Sequence, residues 1–204
     1  MDREKQISAI KDWLQKGSIN IFGKPFAGKD THARELAYEL DARLIGGGDI
    51  MRASTDPEIK EDIDAGKLAP TEKYLGIMMP YFAQDKFADS PLVLSSVGRW
   101  SGEERGVLKA TKDVGHPIKA VLNIVIDDEE IERRWRASRG SGDRGTRADD
   151  DAHHKLEVRL QEYNTKTVPV LETYRQKNLV IDINGMQEKD LVAKEILSKL
   201  ANLA

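Results

Sequence analysis

Gly23, Lys24, Pro25, Phe26, Ala27, Gly28 and Lys29 lie between the apolar run INIF and the helix-forming stretch KDTHAREL. Strand, glycine-bounded loop and helix, in that order, let backbone N–H groups at the helix start surround phosphate oxygens, with the lysine adding charge near a transferred group. The plain alternative is an ordinary strand-to-helix turn. Asp30, directly after the lysine, is discordant, because an anion beside phosphates is repulsive unless a cation stands between them.

Any anion site must be local. Charged residues form 33% of the 204-residue chain, but 32 basic against 35 acidic side chains leave a net charge of -3, which argues against a nucleic-acid or general polyanion binder. There are no cysteines, so disulfides, thiolate metal sites and cysteine nucleophiles are excluded. The charged start MDREKQISAIKDWLQKG and the lack of a long apolar run point to a cytosolic protein with no membrane partner. His153 and His154 are adjacent and so point about 100° apart on a helix, which suits solvated positions better than metal ligation. The acidic run Asp127 to Glu130 stands where a helix should begin, and the helix dipole accounts for it. Trp13 and Trp135 have no evident site role.

These residues need a scaffold. Ile7, Ile10, Trp13 and Leu14 recur at helical spacing, with Gly17 as a stop. Five short apolar runs, INIFG, ARLIGG, PLVLSSVG, AVLNIVID and LVIDING, alternate with polar or helical sequence, as expected of parallel strands buried on both faces. Pro57, Gly66, Pro70 and Pro80 punctuate a helix-rich insert, and ASRGSGDRGTRADDDAHH has no apolar periodicity, as in a functional or disordered loop. Leu191, Val192, Ile196, Leu197 and Leu200 mark a last amphipathic helix.

In this frame the sequence resembles the adenylate kinase family of nucleoside monophosphate kinases, of the short-lid type. GKPFAGKDT keeps the frame of the family's loop, with Phe26 and Asp30 in place of two glycines. GGGDIMRA matches the G-D-x-x-R segment, DAGKLAP the stretch beside the monophosphate, LSSVGRW the segment carrying a phosphate-binding arginine, and TRADDDAHHKLEVRLQEYNTKTVPVLETY the R-x-D-D, R-L-x-x-Y, T-x-P and Y pattern. The resemblance implies one P-loop NTPase domain over 1–204, α/β, with a five-stranded parallel sheet flanked by helices, a helical NMP-binding insert at 49–80 and a short lid at 137–152. It implies transfer from ATP to AMP with Mg2+, in nucleotide biosynthesis, by a monomer. By the same resemblance Lys29, Arg99, Arg147 and Arg159 are catalytic. Phe26, Ala27, Gly28, Lys29, Asp30, Thr31, Arg133, Arg139 and Gln187 bind ATP. Gly47, Arg52, Lys67, Leu68, Ala69, Gly98, Arg99, Glu103, Arg147 and Arg159 bind the monophosphate, beside Asp49 in the same segment. Which of Arg133, Arg134, Arg136 and Arg139 cover the donor stays open, with Arg133 and Arg139 chosen.

Three positions depart from the family. Ser95 replaces an aspartate that helps hold the magnesium water shell, Gly47 replaces a side chain near the base, and Glu103 replaces a glutamine that reads it. A carboxylate only accepts hydrogen bonds whereas an amide also donates, so Glu103 opens the possibility of GMP; the plainer expectation is a solvent-facing Glu103. UMP or CMP as acceptor, and a weakly active regulatory nucleotide binder, are further alternatives. Asp30 either contacts the metal or its waters in place of the missing aspartate, or complements the helix dipole.

Overall fold

The computed structural model describes residues 2–52, 54–141 and 153–204. The expected roles of Arg147 and most of the expected lid fall on 142–152, outside these residues. The side chains of Asp49 and Arg139 are likewise outside the description.

Five strands, β1 (Ser18–Gly23), β2 (Arg43–Gly46), β3 (Leu92–Ser95), β4 (Ile118–Val125) and β5 (Val180–Asn184), form one sheet in the order β2-β3-β1-β4-β5. Every pairing is parallel, and each apolar run identified in the sequence supplies one strand. Side chains alternate across a strand, so successive residues feed opposite cores. Ile19 and Ile21 of β1, with Leu122 and Ile124 of β4, pack on α1 (Arg3–Leu14), α2 (Lys29–Glu39) and α10 (Lys189–Ala201). Phe22 and Val121 face α5 (Thr71–Phe82), α6 (Glu103–Asp113) and α9 (Val168–Gln176). Between β2 and β3 the chain inserts α3 (Gly47–Arg52), α4 (Pro57–Asp64) and α5. Two further helices, α7 (Asp128–Ser141) and α8 (His153–Glu162), flank the undescribed segment.

Small departures from the sequence expectations have local causes. α1 ends at Leu14 and is capped by Gln15 at φ 49°, ahead of Gly17. Pro80 lies inside α5, where it forgoes its own N–H bond to the preceding turn, and the helix ends two residues later. Leu191 is 47% exposed while Val192, Ile196, Leu197 and Leu200 are buried, because the inward stripe of α10 begins one residue later. Among the described residues no helix is long and apolar enough to cross a membrane.

Topology fixes where a ligand can sit. The helix leaving β1 packs on one face of the sheet and the helix following β3 on the other. Adjacent strands whose connections diverge leave a crevice at their carboxyl ends, the usual binding position in open α/β sheets.

Candidate active site

The loop after β1 enters this crevice. Phe26 adopts φ 65° and Gly28 φ 86°. A left-handed bulky residue costs roughly 1–3 kcal/mol, which burial of its ring, 4% exposed in the first core, offsets. Phe26 can thus stand where the family has glycine. Lys29 opens α2, its side chain 14% exposed. It lines a cavity with Asp30, Arg52, Ser95, Arg99 and Arg159. Lys67, Leu68, Ala69 and Glu103 line the same cavity, so it collects residues expected on both the donor and acceptor sides.

Residues remote in sequence hold Arg99. Asn20, polar within the β1 run, donates from Nδ2 to the Val97 carbonyl at 2.8 Å and accepts from the Val97 N–H at 3.3 Å. The Gly98 N–H donates to the Tyr74 hydroxyl at 2.7 Å, and the Thr167 hydroxyl donates to the Arg99 carbonyl at 3.0 Å. Gly98 itself sits at φ +73° with Val107 Cγ2 only 2.8 Å from where a Cβ would be, so no other residue fits without displacement. Burial pushes the Arg99 guanidinium down from its usual range and Arg159 adds to this, against Tyr74, Asp30 and Glu103. This is the electrostatic condition of a site built for an anion.

Arg159 projects from α8 with its guanidinium 5.6 Å from the centre of the Phe26 ring, a cation–π distance. A Cβ on Gly66 would lie 3.2 Å from Arg159 Cγ, so the insert and α8 meet here. The Leu68 N–H donates to Glu162 at 3.0 Å, closing the same junction. Gly47 is buried beside the Ser96 carbonyl and the Tyr74 hydroxyl, both within 3.3 Å of a would-be Cβ.

Two findings revise the sequence reading. Glu103 is not solvent-facing: it is 2% exposed. It opens α6 and folds back to accept the Trp100 N–H at 3.0 Å. Burial pushes its carboxyl up, opposed by the Trp100 N–H, Thr71 and Arg99. The second concerns the arginine pair. Arg133 is 70% exposed and turned onto Glu130. Arg134 shares Glu130, donating from Nε at 2.6 Å, and also donates to the Gly185 carbonyl at 2.7 Å and the Phe26 carbonyl at 3.3 Å. It lines a second hollow with Ala27, Gly28, Thr31, His32 and Gln187, on the other side of the α2 start. We therefore expect Arg134→Ala to raise the KM for the donor nucleotide about tenfold, and Arg133→Ala to leave it within about twofold, since exposed ion pairs contribute little. Initial rates at varied donor concentration check this.

His32, at the hollow, is buried and its basicity lowered by desolvation, against the pull of Glu35. His153 joins α8 to α7 through Glu132 at 2.7 Å, its ring edge-on to Trp135.

A family model described as adenylate kinase matches residues 21–179. Among curated proteins, the adenylate kinase of Methanococcoides burtonii is 27% identical, the match covering 90% of this chain and 98% of the relative. That of Leptospira biflexa is 27% identical over 88% and 97%, and that of Flavobacterium johnsoniae 28% identical over 91% and 99%.

Proposed function

Because the chain belongs to the adenylate kinase family and is a phosphotransferase, we propose that it transfers the terminal phosphoryl group of ATP to AMP, giving two ADP. The observation that carries this reading is the convergence of Lys29, Arg52, Arg99 and Arg159 on one cavity at the carboxyl edge of the sheet. Phosphoryl transfer through a loose, highly anionic transition state depends on positioning and charge more than on covalent chemistry. Lys29 holds the donor phosphates from the fixed core. Arg52 receives the acceptor phosphate, and Arg99 and Arg159 offer planar forks to the oxygens of the migrating group. An acceptor phosphate oxygen bonds to the γ-phosphorus as the bond to the β,γ-bridging oxygen breaks, and that oxygen leaves with ADP. The acceptor is already anionic near neutral pH, so no general base is required. Mg2+ accompanying ATP would neutralise part of the phosphate charge, and the oxygen donors Asp30 and Ser95 suit such a hard cation. Approach of the insert and the expected lid would exclude water, limiting hydrolysis. We read the protein as a cytosolic monomer.

Buried Glu103 favours a second reading, GMP as acceptor. A carboxylate in the cavity wall can accept from the N1–H and amino hydrogens of guanine, whereas adenine N1 needs a donor. Rates with AMP, GMP, UMP, CMP and dAMP decide between them. ADP formation from none of the five would overturn the kinase assignment, and selective use of GMP would replace AMP. If Glu103 reads the base, Glu103→Gln moves the AMP-to-GMP ratio toward AMP by about tenfold, the usual scale for one hydrogen bond in a desolvated site. The pH dependence has a definite sign. Because burial raises the carboxyl pKa above that of an ordinary glutamate, falling pH replaces the ionised acceptor by a hydroxyl donor sooner here than at an exposed glutamate. The wild-type ratio should move toward AMP as pH falls, with no such trend in Glu103→Gln.

A further inference from the structure

Asp30 and Ser95 are 65 positions apart, yet the Ser95 hydroxyl donates to Asp30 Oδ1 at 2.6 Å. That is the short range of a hydrogen bond to an ionised acceptor. Ser95 ends β3, in register with Ile21 and Gly46, and is 5% exposed, so the sheet fixes its hydroxyl. Asp30 lies in the first turn of α2, and the Lys29 ammonium is 4.0 Å from its other oxygen, Oδ2. The pair therefore bridges the two diverging connections at the floor of the cavity that also holds Lys29, Arg99 and Arg159.

Helix-dipole complementation alone explains an acid in a first turn. It does not explain why this one is oriented by a buried hydroxyl from another strand inside a cationic cleft. A carboxylate among bound phosphates is repulsive in a partly desolvated site. It becomes favourable when a divalent cation lies between, and magnesium is commonly held by one or two carboxylates together with substrate phosphates. Among the described residues no cluster of three or more acidic or histidine side chains is placed to hold an ion, which fits an ion that arrives with the nucleotide.

We propose that Asp30 is this chain's anchor for the nucleotide-borne magnesium or its water shell, and that Ser95 is the positioning residue that aims the carboxylate. This rests on the ATP reading above. It makes strand and helix positions exchangeable: the acid stands on α2 and the neutral partner on β3, and the reverse arrangement should serve the same ion.

The test is binding, with no acceptor and no turnover. Calorimetry with β,γ-imido-ATP is run on wild type, Asp30→Asn, Asp30→Gly, Ser95→Ala and the exchange variant Asp30→Gly/Ser95→Asp, in EDTA and with MnCl2. The paramagnetic resonance of Mn2+ reports the bound ion directly. In Asp30→Asn the Mn2+-loaded analogue should bind about tenfold or more weakly, the scale seen when a metal site loses a supporting group, while the metal-free analogue binds as well or better because the repulsion is gone. Ser95→Ala should move in the same direction by less, and the exchange variant should recover most of the loss seen in Asp30→Gly. Equal changes with and without metal, or none, would reduce Asp30 to a helix-start residue and overturn the proposal while leaving the kinase reading standing. Wild-type protein that binds the analogue under neither condition would overturn both. Thermal midpoints of all variants separate misfolding from loss of the ion, and Asp30→Asn, being isosteric, is the decisive variant.

Discussion

Replacing Arg99 or Arg159 with alanine is expected to lower kcat about a hundredfold or more, ~3 kcal/mol of lost transition-state stabilisation, the typical effect of removing one preorganised charge donor. The two arginines come from different layers: Arg99 follows β3, and Arg159 stands on α8 against Phe26 and Gly66. Burial and the nearby Arg159 both disfavour the charged Arg99, against Tyr74, Asp30 and Glu103, so a bound phosphate would stabilise the guanidinium. Folding should survive Arg99→Ala, with a thermal midpoint unchanged or raised, as when a residue kept for activity is removed. Arg159→Ala also loses a cation–π contact, so a small fall is expected there. Steady-state kinetics with thermal melts checks both. Unfolding would make the arginines structural, and normal turnover would remove them from the site.

The fold was largely legible because its signals are additive. Five buried parallel strands each leave a short apolar run, and a glycine-bounded loop followed by a helix marks the one strand whose exit can cradle an anion. The site was legible only as far as local order carries it. Lys29, Arg52, Arg99 and Arg159 were placed by ordered motifs, and the structure brings all four to one cavity. Arg133 and Arg134 were not separable, since neighbouring helical residues point about 100° apart and nothing in ERRWR says which faces the sheet. Geometry settles the orientation, for only Arg134 reaches the carbonyls of Phe26 and Gly185. Glu103 was misjudged because composition makes glutamate a surface residue, whereas here the first turn of α6 bends its carboxylate back onto the Trp100 N–H. Asn20, Tyr74 and Thr167 were not chosen as site residues. Asn20 alone left a trace, as a polar residue inside an apolar strand. The hydroxyls of Tyr74 and Thr167 act on backbone groups 24 and 68 positions away, a relation that exists only once the sheet has assembled.

Lys29→Ala should be the most damaging single change on the donor side, lowering kcat/KM for ATP by about a hundredfold or more. The lysine is the first residue of α2, following Gly28 at φ 86°, so its main chain lies where helix N–H groups and the positive end of the dipole already favour an anion. Its ammonium, on a side chain only 14% exposed, adds a full charge where water screens little. Lys29→Arg keeps the charge but replaces a compact head with a wide planar fork, in a cleft already occupied by Arg52, Arg99 and Arg159. An intermediate loss is therefore expected, chiefly in kcat. If geometry were unimportant, arginine would restore full activity; if charge were, alanine and arginine would be equally impaired. The loss must also remain at saturating ATP. A defect that vanished there would mean that Lys29 only gathers the donor and adds nothing as the phosphoryl group moves.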